Sequence, residues 1–218
     1  EDLGSSITVV TKQQMIDTAV LDINDSFLYE ANTEGTGNFT SLTVDRNGGV
    51  SDNVQSSPQT ANRIRGLDTA NTARDNFTSI SGIPIDLYNT ESVEITRGSN
   101  STLFGLGNAS GTVNVNVSKA NVTRDITGVT FRADSYGGFR SSLDFNRRII
   151  PNKLAARFSA VYQETGYERK PSAEQTRRLQ GALTYKPFST TTIQANYESY
   201  HSFARRPNSV TPRDSVTD

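Results

Sequence analysis

From Gly128 onward apolar and polar side chains alternate, and a period of two predicts strands because successive residues on a pleated backbone point to opposite faces. In GVTFRADSY, Val129, Phe131 and Ala133 share one face while Thr130, Arg132 and Asp134 share the other. Leu143, Phe145 and Ile149 then oppose Asp144, Asn146 and Arg148. Leu154, Ala156, Phe158, Ala160 and Tyr162 oppose Lys153, Arg157, Ser159 and Gln163. A fourth strand sets Leu179, Leu183 and Tyr185 against Arg178, Gln180 and Thr184, and a fifth sets Ile193, Ala195 and Tyr197 against Thr192, Gln194, Asn196 and Glu198. Arg147 and Val161 break the pattern. Connections are expected at Tyr136–Phe139, Pro151-Asn152, Thr165–Thr176 and Lys186–Thr190, with a polar tail after Tyr200.

Two architectures fit such strands. A soluble sandwich buries the apolar face against a second sheet, whereas a membrane barrel turns it to lipid and keeps the polar face in its lumen. Charges repeated along the polar face, at Arg132, Asp134, Asp144, Arg148, Arg157, Arg178 and Glu198, favour the barrel. Five strands cannot close a pore, so most of a barrel would lie beyond Asp218.

The first half is patterned differently. A short strand is expected at Ile7–Val10, then a helical turn starting near Thr11; Asp22 is a candidate N-cap for INDSFLYE, with Ile23, Phe27 and Leu28 on one helical face. Residues Asn32–Thr60, rich in Asn, Gly, Ser and Thr, are expected to be loop apart from a strand near Leu42–Val44. Further short strands are expected at Arg63–Arg65, Ser79–Ser81, Ser92–Thr96 and Thr112–Ser118, with a turn at Gly82-Ile83-Pro84. The expected fold class is an α+β domain followed by antiparallel strands, with a truncated transmembrane β-barrel favoured over a sandwich.

Charge sharpens that division. Residues 1–120 hold seven basic and 14 acidic residues, and residues 121–218 hold 15 and nine, which places a boundary near Lys119–Asp125. The expected division is residues 1–120, a connector at 121–126 and the first strands at 127–218. The basic residues are scattered rather than gathered in a run, which argues against nucleic acid as a partner. Hydrophobic residues make up only 33% of the chain, and no apolar run approaches the roughly 20 residues of a membrane helix. No signal peptide opens the sequence at Glu1, so a membrane role is expected to use strands or a lost segment. Cysteine is absent and His201 is the single histidine, which disfavours thiol chemistry, zinc hydrolysis and a Ser-His-Asp triad; no metal or cofactor is expected.

The glycines of EITRGSNSTLFGLGNASGTVNVNVSKA, Glu94–Ala120, fail as a phosphate cradle. Their spacing is Gly105-x-Gly107-x-x-x-Gly111, no Gly-Lys-Ser/Thr follows, and the next segment, TVNVNV, has a strand pattern rather than a helical one. Glycine instead allows close backbone packing and positive φ. The order NRIRGL, GIPIDLYNTESVEITRG, STLFGLGNASGTVNVNVSKA resembles the plug of TonB-dependent outer-membrane receptors. The most specific part runs from Arg97-Gly98 through Phe104-Gly105-x-Gly107-x-x-x-Gly111 to Val113-Asn114. SSITVVTKQQM resembles the opening of the same plug, and the alternating strands resemble the start of its barrel.

That resemblance implies a non-enzymatic uptake receptor in the bacterial outer membrane, with TonB and outer-membrane lipid as partners. The solute would be a siderophore, cobalamin or oligosaccharide. No TonB-box segment precedes Glu1, and five strands fall short of the family's 22, so the chain is expected to be a fragment or partly seen. Plug-packing glycines would be Gly66, Gly98, Gly105, Gly107 and Gly111. Arg97 would belong to a latch in which plug arginines pair with barrel glutamates beyond Asp218. Outward plug loops, Leu67–Phe77 and Pro84–Asn89, would supply ligand contacts from Asp68, Asn71, Arg74, Asn76, Asp86, Tyr88 and Asn89. The competing reading is a soluble β-rich binding or adhesion module without transport.

Overall fold

The computed structural model describes residues 6–35, 62–67, 70–78, 83–98, 110–168 and 170–205. The N-terminal domain opens with β1 (Ser6–Thr11), whose last residue caps α1 (Lys12–Asp17): the Thr11 side chain accepts from the Gln14 amide. Asp22 caps α2 (Ile23–Phe27) in the same way through the Asp25 amide. In both cases a side-chain oxygen satisfies an amide that the first helical turn leaves open. Ile23 and Phe27 are buried, but Leu28, expected on their face, is 61% exposed, because α2 ends at Phe27 and Leu28 lies beyond its last turn.

Strands β2 (Thr33–Gly35) and β3 (Asn62–Ile64) form a small antiparallel pair. β4 (Asn71–Arg74) and β5 (Phe77–Thr78) form a hairpin where loop was expected; Asp75 and Asn76, both at positive φ, make its turn. β6 (Thr90–Arg97) and β7 (Gly111–Val117) are the long strands of the domain. Together these elements give a sheet ordered β1-β6-β7-β4-β5, parallel only between β4 and β7. Its apolar face supplies Val93, Ile95, Val113 and Val115, which pack with Val10, Met15, Ile23, Phe27 and Ile64 into one core.

The other face of β7 is polar. Asn114 donates to Asn76 and Glu94, and Asn116 donates to Ser92 and Glu94, so the TVNVNV alternation is satisfied on both sides. Leu42–Val44, Ser79–Ser81, Gly82 of the expected turn, and Asp68, Gly105 and Gly107 lie outside the described residues.

From Ser118 the chain crosses to a five-stranded antiparallel meander: β8 (Ile126–Ala133), β9 (Phe139–Ile150), β10 (Leu154–Gly166), β11 (Ala173–Phe188) and β12 (Thr191–Arg205). The strands run further than their pattern suggested. The Thr165–Thr176 loop shrinks to 167–172, Lys186-Pro187-Phe188 joins β11, and β12 continues past Tyr200. Ladder hydrogen bonds to the neighbouring strand hold these polar ends extended.

This sheet is arranged inside out relative to a soluble one. Its apolar face is open, with Phe131 at 70% and Tyr197 at 71% exposure, while Arg140, Asn146, Arg157, Arg178 and Gln180 are buried on the face that meets the N-terminal domain. Val161 is buried on that inner face and Arg147 lies on the outer one, stacked over Phe145 at 4.7 Å.

The three expected plug-packing glycines among the described residues, Gly66, Gly98 and Gly111, all adopt positive φ. Gly66 adopts φ +65° directly after β3. Gly111 adopts φ +141°, and a Cβ there would stand 2.1 Å from the Thr96 carbonyl oxygen. Gly98 also has positive φ, at 104°, where its amide donates to Ser110 O. Gly111→Ala is expected to cost about 3 kcal/mol, combining strain with a backbone clash. Hydrogen exchange on the intact protein should show β6 and β7 losing protection while the β9–β11 ladder keeps it.

Candidate functional site

The charged face of the meander closes on the N-terminal domain through two groups of ion pairs. In the first, Asp86 initiates a 3-10 turn, Leu87–Asn89, by accepting from the Tyr88 amide. Its carboxylate receives both ends of the Arg140 guanidinium, at 2.7 and 2.8 Å, with both side chains buried. Such a fork fixes direction as well as charge. Arg178 stands 3.7 Å from the same carboxylate and donates to the Pro84 carbonyl at 2.6 Å. Glu198 of β12 collects Arg74, Arg178 at 3.8 Å and the Tyr88 hydroxyl at 3.3 Å. Three arginines and two carboxylates thus bind β4 and the 83–89 segment to β9, β11 and β12.

The second group lies nearer the rim where the connector enters. Asp144 accepts a fork from Arg157, at 2.6 and 2.7 Å, and a bond from Lys12 at 3.3 Å. Arg157 also donates to the Lys119 carbonyl and approaches Glu91 at 3.8 Å. Between α1 and the β8–β9 wall is a cavity of about 1050 Å³ lined by both charged and apolar groups, among them Lys12, Met15, Arg132, Arg140 and Asp144.

Electrostatics follow from this packing. Burial pushes the Asp86 carboxyl up, but hydrogen bonds and charge from Arg140, with Arg178, outweigh it and hold the group below its ordinary range. Burial, then the neighbouring Glu198 carboxylate, pushes the Tyr88 phenol up, so it stays a neutral donor. Asp22 forms an isolated bridge with Asp86 and has no basic partner among the described residues; burial, then the charges of Asp25 and Asp86, raises it to about 7.

The residues proposed from sequence separate into three sets. Arg74, Asp86 and Tyr88 come together, but in the seam against the wall rather than on an outward ligand loop. Asn89 is buried beneath them, its Nδ2 without a hydrogen-bond partner among the described residues. Asn71 sits in the β4–β7 ladder and Asn76 is tied to Asn114, so both are held in the domain's sheet. Arg97, expected to reach barrel glutamates beyond Asp218, donates to Glu30 at 3.1 Å and Thr8 at 2.6 Å, both in its own domain. Arg140 escaped the sequence reading because β9 begins before the apolar alternation becomes visible.

Residues 1–112 match the TonB-dependent Receptor Plug Domain. The chain belongs to the TonB-dependent receptors. Its N-terminal domain is the plug, and its meander corresponds to the first strands of the outer-membrane barrel, which settles the choice against a sandwich. The catecholate siderophore receptor Fiu of Escherichia coli K12 is 26% identical over 167 residues, 75% of this chain and 20% of that protein. The chain therefore spans about a fifth of the length of this curated relative. Among solved structures, the open form of Fiu superposes with a TM-score of 0.74 at 18% identity, covering 93% of this chain and 28% of that one. FpvA of Pseudomonas aeruginosa bound to heterologous pyoverdines gives 0.72 at 22%, covering 92% and 26%. FauA of Bordetella pertussis, an alcaligin receptor, gives 0.72 at 20%, covering 92% and 32%.

Arg140→Met leaves the Asp86 carboxylate buried without its fork and is expected to destabilise plug docking by about 3–5 kcal/mol, with Asp86→Leu in the same chain restoring most of it. A double-mutant cycle read by protease protection of the plug measures this.

The raised Asp22 value fixes a pH dependence. Its folded-state pKa of about 7 lies above the ordinary 3.8, so the folded plug binds a proton that the unfolded chain has released. Stability from this group therefore falls as pH rises from about 4 to about 7. Asp22→Asn keeps the N-cap and should flatten that slope, as pulse proteolysis in urea at about pH 5 and about pH 8 would reveal.

Proposed function

We propose that the receptor takes up a ferric siderophore across the outer membrane, using force delivered by TonB. The observation that carries this reading is the likeness to the catecholate siderophore receptor Fiu over three quarters of the chain, supported by the pyoverdine and alcaligin receptors that share the fold. It favours iron chelates within the wider class of solutes. No covalent chemistry is assigned to the protein.

The seam suits this work physically. A plug that must move cannot be sealed to its wall by a large apolar interface, because removing such a contact exposes hydrocarbon to water. Ion pairs and backbone hydrogen bonds can be exchanged for water at much lower net cost. The plug is held by Asp86 with Arg140 and Arg178, Arg74 with Glu198, Lys12 with Asp144 and Glu91 with Arg157, groups that hydrate readily on release. Of the proposed ligand contacts, Arg74 is partly exposed at the seam but paired with Glu198, so it could meet an anionic chelate only after releasing that carboxylate.

Expression of the full-length receptor in an iron-starved Gram-negative host lacking its own catecholate receptors tests the reading. Saturable uptake of radiolabelled ferric catecholate is expected, and it should vanish when TonB is deleted. Equal uptake with and without the receptor would refute the solute assignment, and uptake that survives loss of TonB would refute the energy source.

A further inference from the structure

Helix α1 lies across the barrel wall like a bar fastened at both ends. At its first residue Lys12 donates to Asp144 of β9 at 3.3 Å, and just past its last turn the Ala19 carbonyl accepts from Arg132 of β8 at 2.8 Å. Ala19 closes the helix in the left-handed region, at φ 59°, with its amide donating to the Ile16 carbonyl. Alanine adopts that conformation only where neighbouring contacts over-determine it. β1 runs into α1 with no loop between them, so a pull on β1 reaches the two fastenings directly.

Behind the bar the wall is bare. On its inner face Gly128 pairs with Asp144 and Thr130 with Ser142, and a Cβ at Gly128 would meet nothing within 4 Å. These small residues leave open the cavity of about 1050 Å³ between α1 and the wall, a size at the top of the range of about 300–1,000 Å³ for small-molecule sites. Its lining carries six basic side chains against three acidic ones. Much of that charge is committed: Arg140 is forked to Asp86, and Arg157 and Lys12 share Asp144. Arg132 differs from them. It stands opposite Arg140 on the same face but makes no ion pair among the described residues, where the Ala19 carbonyl is its partner. A guanidinium held by one neutral carbonyl keeps its charge and most of its N–H groups for an anion.

We propose that withdrawal of α1 unmasks Arg132 as a transit site for an anionic iron chelate, in the passage between α1 and the inner face of β8 and β9. While the bar is in place, the Ala19 carbonyl occupies the guanidinium, and Met15 and Ile16 line the plug side of the cavity. When β1 is drawn away, both fastenings break. Lys12 leaves with α1, Asp144 keeps its fork with Arg157, and Arg132 is left without a described partner. The movement that opens the passage therefore also frees the cation that receives the solute within it. The choice of an iron chelate rests on the uptake function proposed above; the preference of the passage for anions does not.

The test places a reporter thiol on the bare wall, Thr130→Cys, in the full-length receptor on a cysteine-free background and reconstituted in nanodiscs. Labelling is timed with two methanethiosulfonates, one bearing a sulfonate and the other a trimethylammonium group. Lys12→Gln, which unfastens one end of the bar, is expected to speed labelling, with the anionic reagent favoured. Adding Arg132→Gln should lower the anion-to-cation rate ratio by about tenfold, and Arg132→Lys in its place should keep most of it. Heat-modifiable migration establishes that each variant is folded. In iron-starved cells Arg132→Gln should cut the maximal rate of ferric catecholate uptake by about tenfold while leaving binding to TonB-deficient cells unchanged. A rate ratio indifferent to Arg132, labelling that Lys12→Gln does not alter, or uptake that Arg132→Gln leaves intact would each overturn the proposal. Anion-selective labelling of a receptor that takes up no ferric catecholate would uphold the site and refute the solute assignment instead.

Discussion

The structure depends on one constraint: the barrel strands have a charged face that must be neutralised away from water, and the plug is what neutralises it. The Arg140–Asp86 fork is the clearest case. Either partner alone would be a buried charge, and together they determine where the 83–89 segment meets the wall. Arg178 then links this pair to Glu198, and Glu198 links it to β4 through Arg74.

The same constraint orients the sheet. With its inner face occupied by ions and amides, the outer face is free to be mainly apolar, which is the reverse of a soluble sheet packed on a hydrophobic core. The plug itself follows the ordinary rule, burying Phe27, Ile64, Ile95 and Val113 in an interior separate from the seam. Among the described residues the main apolar core lies inside the plug, a smaller one joins Ala120 and Val122 to Ala155 and Ala182 of the barrel strands, and the plug–wall seam is largely charged. On the proposed uptake function, in which the plug is displaced, this separation would let the seam open without sacrificing the plug's own fold.

Local elements were legible because their causes are local. Thr11 and Asp22 announce the helices that they cap, Val113 and Val115 alternate with Asn114 and Asn116, and the strand faces of Phe131, Phe158 and Leu179 follow from period two. The glycine pattern ending at Gly111 pointed to close backbone approach, and the Thr96 carbonyl explains it. Strand ends were less legible: at Arg140 and beyond Tyr200 polar residues are held extended by neighbouring strands, and no periodicity in their own sequence records that support.

The candidate site divides along the same line. By itself the sequence determined a plug followed by two-faced strands, since motif and alternation are properties of short segments. Only the tertiary structure decided which charges meet. It moved Asp86 and Tyr88 from a supposed ligand loop to the wall, gave Arg97 to Glu30 within the plug, and joined Asp86 to Arg140 across 54 positions of sequence. Ion pairing at that separation depends on how two domains are oriented in space, and the pattern of neighbouring residues along the chain does not encode it.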